Sequence, residues 1–152
     1  MSYKVDSDKA FRILRCLAPP IIFINGIPRV GKTTFAEKFK SEGFSVYNIG
    51  DTQDRISKAQ SYLRRMRKSN NPQSVILEGW IENPEELAEI FVEHPNYSYV
   101  WLYANQGDNY WKQHSNKDTK TRDLVKTMLQ KQRKLYELHL EEYDQKILTV
   151  LI

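Results

Sequence analysis

The octapeptide Gly26-Ile27-Pro28-Arg29-Val30-Gly31-Lys32-Thr33 narrows the possible folds of this chain more than any other feature. It fits the pattern G-x-x-x-x-G-K-[ST], and its surroundings are those the pattern requires. Before it lies the apolar run Ile21-Ile22-Phe23-Ile24, which predicts a strand buried on both faces of a parallel sheet. After it, residues 32–42 read as a helix with Phe35, Ala36 and Phe39 on one face. Gly26 and Gly31 let the backbone curl so that its N–H groups point inward, and the helix start adds a positive dipole. The result is a cradle for a polyphosphate. Within it, Lys32 is placed on the β- and γ-phosphates of a nucleoside triphosphate, Thr33 on Mg2+, and Thr34 beside the α-phosphate. Ile27, Pro28, Arg29 and Val30 complete the loop, with Arg29 directed either at the phosphates or at solvent.

Strands and helices alternate along the rest of the chain. Residues 7–17 predict an amphipathic leading helix, with Cys16 packed on it as an apolar side chain and Pro19-Pro20 as its stop. Further strands are expected at 44–49, 74–77, 97–103 and 146–152, and helices at 52–68, 83–92 and 121–143. The start at Asn83 carries three signals: Asn as N-cap, Pro84 at the first position, and Glu86 three residues after the cap. Segment 104–120 is polar, with one short helix expected over 109–114. This order implies an α/β sheet of five parallel strands. The chain divides into a leading helix, 1–18, and a single domain, 19–152.

In open α/β sheets, ligands bind beyond the carboxyl ends of the strands, and three ends carry candidates. The first is the loop above. The second is Gly50-Asp51, with Arg55 one turn on. Asp51 is a base for a hydroxyl acceptor, a positioning group for a phosphate acceptor, or a helix N-cap. Arg55 is a clamp for an anionic acceptor group or a surface residue. The third end is Glu78-Gly79-Trp80. Glu78 is placed to hold Mg2+, and Trp80 offers either a stacking face to the acceptor or core packing. In the basic segment Lys117, Lys120, Arg122, the guanidinium of Arg122 is the cation best shaped to close over a transferred phosphoryl group. His94, His114 and His139 have no ligand spacing, and His139 falls on the packed face of the last helix.

Charge is unevenly placed. Residues 55–68 hold Arg55, Lys58, Arg64, Arg65, Arg67 and Lys68 without an acid, which suggests an anionic partner; solvated helix faces are the plainer reading. The single cysteine excludes an internal disulfide and points to a reducing, cytoplasmic setting. No apolar run is long enough to cross a bilayer, and the first residues lack the apolar core of a secretory signal, so no membrane partner is expected.

Four segments in order resemble the adenylate-kinase-like branch of P-loop (Walker A) kinases. Residues 26–34 are similar to its G-x-P-G-x-G-K-x-T loop, with Arg29 where the family has glycine. Tyr47-Asn48-Ile49-Gly50-Asp51 resembles its second strand end, and Leu77-Glu78-Gly79-Trp80 its Leu-Asp-Gly-Phe. Residues 116–143 resemble the lid and the helix that follows. The pattern is most similar to atypical nuclear adenylate kinases, and shares its Tyr-Asn-Ile strand with polynucleotide 5′-kinases. The resemblance implies a P-loop NTPase three-layer sandwich with a five-stranded parallel sheet, a short acceptor region and a short lid. It implies ATP as donor, Mg2+ as cofactor, and γ-phosphoryl transfer to a nucleotide, nucleoside or similar small anionic acceptor. Two alternatives stand beside it: a 5′-hydroxyl kinase on RNA or DNA ends, supported by Arg64-Arg65-x-Arg67-Lys68, and an ATP-binding switch with slow hydrolysis. The sequence is silent on oligomeric state.

Overall fold

The structure is a computed structural model that describes residues 3–70, 72–104, 119–144 and 146–152. Its strands are β1 (Tyr3–Asp6), β2 (Ile21–Asn25), β3 (Ser45–Asn48), β4 (Val75–Gly79), β5 (Ser98–Tyr103) and β6 (Leu148–Leu151). Its helices are α1 (Ser7–Leu17), α2 (Lys32–Glu37), α3 (Arg55–Arg67), α4 (Pro84–Ile90) and α5 (Thr119–Glu142). A 3-10 turn, Lys40–Glu42, follows α2. The short helix expected over 109–114 and most of the predicted lid lie outside the described residues.

The strands form one parallel sheet in the order β1-β6-β5-β2-β4-β3. The sheet therefore has six strands, not the five expected. The addition is β1, which pairs with β6 from Tyr3↔Leu148 to Asp6↔Leu151. Asp6 then accepts from the Lys9 N–H at 2.8 Å as the N-cap of α1, so strand passes into helix with no loop. Cys16 also departs from expectation: it is an exposed thiol on the outer side of α1.

Two apolar clusters flank the sheet, and alternation along each strand divides the side chains between them. On one face Ile22 and Ile24 of β2 meet Ala10 and Leu14 of α1, Phe35 and Ala36 of α2, and Val125 of α5. On the other, Ile21 and Phe23 meet Ala59 and Leu63 of α3, Leu87 and Ile90 of α4, and Tyr136 of α5. This is a three-layer α/β arrangement, and it explains why β2 reads as an unbroken apolar run.

The basic stretch of α3 finds its counter-charges on α4 and just beyond it. Arg55 pairs with Glu86 at 2.5 Å and Arg64 with Glu93 at 3.1 Å, while Gln60 donates to the Glu89 carbonyl at 2.7 Å. Arg67 donates to the Gln73 carbonyl, and Arg65 lies over the Tyr62 ring. Two cations of a segment with no acid in sequence, Arg55 and Arg64, are thus matched in space.

Candidate active site

The parallel register aligns the carboxyl ends of β2, β4 and β3. Ile24 pairs with Glu78, Asn25 with Gly79, and Asn48 with Glu78. Everything that follows hangs on that row.

The loop after β2 is fixed by Asn25, which is fully buried. Its Oδ1 accepts from the N–H groups of Gly26 at 2.9 Å and Ile81 at 3.0 Å. Its Nδ2 donates to the Ile81 carbonyl and to the Tyr99 hydroxyl, both at 2.9 Å. One side chain thereby ties the phosphate loop to the segment after β4. The Tyr99 hydroxyl is 2.7 Å from His139 Nδ1, and His139 Nε2 is 2.9 Å from the Glu82 carbonyl. A carbonyl only accepts, so Nε2 carries the proton and Nδ1 accepts from Tyr99. The network is complete only with His139 neutral, and burial holds its pKa below the ordinary 6.5, against the opposing bond to Glu82. The folded state thus binds fewer protons than the unfolded chain just below that value. Stability contributed here is full above pH 6.5 and is lost on acidification. Urea unfolding is expected to show a lower midpoint at about pH 5.5 than at about pH 7.5, with a smaller difference in His139→Gln.

Gly26 has no room for a side chain. A Cβ there would lie 2.9 Å from the Leu102 carbonyl oxygen on β5 and 2.9 Å from Val30 Cγ1. Gly26→Ala is expected to cost about 1–3 kcal/mol in chemical unfolding and to weaken nucleotide binding by displacing the loop. Gly31 (φ 110°) and Arg29 (φ 64°) both adopt left-handed backbone. At position 29 that conformation is one that glycine adopts without strain. Arg29 is exposed and lines a cavity with Gly31, Lys32 and Thr33.

Lys32 is only 9% exposed and lies across the loop, its Nζ donating to the carbonyls of Gly26 at 2.6 Å and Ile27 at 2.9 Å. Burial lowers its pKa to about 8, partly offset by the charge of Glu78. Glu78, 2% exposed, accepts from the Thr33 hydroxyl at 3.1 Å and from Asn48 Nδ2 on the same oxygen. A hydroxyl and a carboxylate side by side are hard oxygen donors of the kind Mg2+ takes. Among the described residues no group of three or more His, Cys, Asp or Glu could cage a metal. Thr33 and Glu78 are the neighbouring oxygen donors here that could hold such an ion.

Two cavities open over this row. One, of about 420 Å³, is lined by Arg29, Gly31, Lys32, Thr33, Thr34 and Glu78, with Asn48 at its edge. The other, of about 600 Å³, lies towards α3 and α4 and is lined by Pro28, Asp51, Arg55, Trp80, Glu82 and Glu86, among others. Lys32 and Asn48 line both. Asp51 is exposed at the second cavity and is not the helix cap, since Asp54 occupies that position before α3. Trp80 has both roles open to it. It stands edge-on to Trp101 at 5.9 Å and donates to Glu82 at 3.1 Å, yet it also lines the cavity. Ile27 and Val30 are buried beneath the loop. Arg122 lies in the first turns of α5; its side chain, and Lys117, lie outside the described residues.

Neither a protein-family profile nor any curated protein sequence matches this chain. Among solved structures, a gluconokinase from Sinorhizobium meliloti 1021 is similar over 88% of this chain and 83% of its own, with a TM-score of 0.58 and 12% identity. The chain shares that structure's fold. A de novo designed protein of P-loop NTPase fold, solved by solution NMR, aligns with 78% of this chain and 92% of its own, at a TM-score of 0.39 and 18% identity. The row formed by Lys32, Thr33, Asn48 and Glu78 occupies the strand ends where open α/β sheets bind ligands.

Sequence reasoning passed over Asn25 and gave Asn48 no role. Both were signalled by a polar residue closing an apolar strand. No helix among the described residues is long and apolar enough to cross a membrane.

Proposed function

We propose that this protein is an ATP- and Mg2+-dependent phosphotransferase that moves the γ-phosphoryl group to a small acceptor. The observation that carries the reading is the meeting of two cavities at Lys32 and Asn48. A nucleotide switch needs only the first; a kinase needs a second place from which an acceptor reaches the γ-phosphate.

In this reading the loop N–H groups hold the phosphates, and Lys32 turns from the Gly26 and Ile27 carbonyls to the β- and γ-oxygens. Thr33 and Glu78 hold Mg2+, which when bound neutralises charge on those oxygens. Asp51 orients the acceptor hydroxyl and takes its proton. The hydroxyl oxygen bonds to the γ-phosphorus as the bond to the bridging oxygen breaks, and ADP leaves with that electron pair. Arg122 supplies charge over the transferred group.

ADP release with Mg-ATP, measured with and without a panel of hydroxyl compounds, tests the reading. At least one acceptor should raise release well above the hydrolysis background and yield its phosphate ester. A panel that leaves the background unchanged while ATP still binds would favour the switch.

A further inference from the structure

The signature at the start of α4 does not do what its pattern suggests. Asn83 caps the helix, accepting from the Glu85 N–H at 2.9 Å. In the reciprocal half of such a box, the side chain three residues after the cap turns back to the cap N–H. Glu86 instead reaches across to Arg55 Nη2 at 2.5 Å, with both side chains about a quarter exposed (26% for Arg55, 27% for Glu86). This pair lines the second cavity.

The pairing decides what charge the cavity accepts. Its cations are Lys32 and Arg55; its carboxylates are Asp51, Glu82 and Glu86. Lys32 is committed to the donor phosphates once ATP is bound. Arg55 is committed to Glu86, and Glu82 is paired with Lys131 at 2.6 Å. Asp51 has no ion-pair partner among the described residues. An anionic acceptor would have to break the Arg55–Glu86 pair and leave Glu86 uncompensated, beside two further carboxylates. Hydroxyl groups meet no such conflict, since carboxylates and the amides of Asn48 and Asn83 accept or donate to them directly. The Trp80 ring, its N–H already tied to Glu82, adds an apolar face for the carbon skeleton of a ring.

We propose that Glu86 is a specificity-determining residue, and that by holding Arg55 it sets the acceptor as an uncharged polyhydroxy compound rather than a phosphorylated or carboxylated one. The inference rests on the phosphotransferase reading for its meaning, but its test has a readout independent of turnover. It also departs from the anionic acceptor expected from the basic segment 55–68, two of whose cations, Arg55 and Arg64, are paired with Glu86 and Glu93.

The probes are matched pairs that differ by one anionic group: glucose and glucuronate, ribose and its phosphate ester, adenosine and AMP. Binding is measured by calorimetry on the full chain loaded with Mg2+ and a non-hydrolysable ATP analogue, and transfer by ADP release. The neutral member of the preferred pair is expected to bind about tenfold or more tightly than its anionic partner. Glu86→Gln should narrow or invert that ratio, chiefly through the KM and Kd of the anionic member. The double variant Arg55→Gln/Glu86→Gln should show no such gain, which separates released charge from a loosened helix. Tighter binding of the anionic member by the unaltered protein, no measurable binding by any pair, or an unchanged ratio in Glu86→Gln would overturn the proposal. Binding with the predicted preference but no transfer would instead sink the phosphotransferase reading and leave the charge assignment standing.

Discussion

Lys32→Met is expected to lower ATP turnover by about 10²-fold or more and to abolish the thermal stabilisation that Mg-ATP confers. The nucleotide-free protein should keep its unfolding midpoint to within a few degrees, because two effects oppose. Removing the ammonium leaves the Gly26 and Ile27 carbonyls without their donor, which destabilises. It also removes a charge held out of water, which stabilises. The same burial gives a signature in pH. Lys32 has a pKa of about 8 in the folded, empty protein against an ordinary 10.5. Between those values the folded state binds fewer protons than the unfolded chain, so this residue's contribution to stability rises with pH across that window. Nucleotide affinity runs the other way. Phosphates hold the proton on Lys32, so binding takes up a proton above about pH 8 and weakens as pH rises through it. Calorimetry at pH 7, 8 and 9 in buffers of different ionisation enthalpy reads both the loss and the proton uptake; Lys32→Met should show neither.

Asp51→Asn is expected to lower transfer to a hydroxyl by about 10²- to 10⁴-fold with ATP binding unchanged. The residue lies on the second cavity, not the phosphate cavity, so its loss should appear in kcat for the acceptor reaction. Equal loss of ATP binding would mean that Asp51 supports the phosphate loop rather than the acceptor. Transfer to a phosphate acceptor needs no base, and activity on such an acceptor that survives Asp51→Asn would assign it a positioning role alone.

The loop side of the site was legible because its pattern is local. The loop, the strand before it and Glu78 each announce themselves within a few residues, and the parallel register then brings Thr33, Asn48 and Glu78 together. The leading strand was missed although Tyr3-Lys4-Val5-Asp6 alternates apolar and polar residues. Four residues running straight into a helix give too short a period to register. The second cavity was opaque for a different reason. The partner of Arg55 is not within reach in sequence; it arrives from α4 only when both helices dock on the same face of the sheet. Glu86 has the spacing of a capping residue, and a local rule cannot show that a tertiary ion pair takes it.

The pairing of β1 with β6 bears on how the chain acquires its fold. Of the described strands, the earliest in sequence has the latest as its neighbour, with β2 to β5 and their helices intervening. Strands β2 to β5 can assemble with one another first, but β1 has no partner until residues 148–151 are in place. Contacts so distant along the chain form late and slowly. Until then Tyr3–Asp6 presents unpaired backbone groups, and the face that α1 will cover has no stable seat. A refolding reaction should accordingly show the β2–β5 amides protected from exchange before those of β1 and β6.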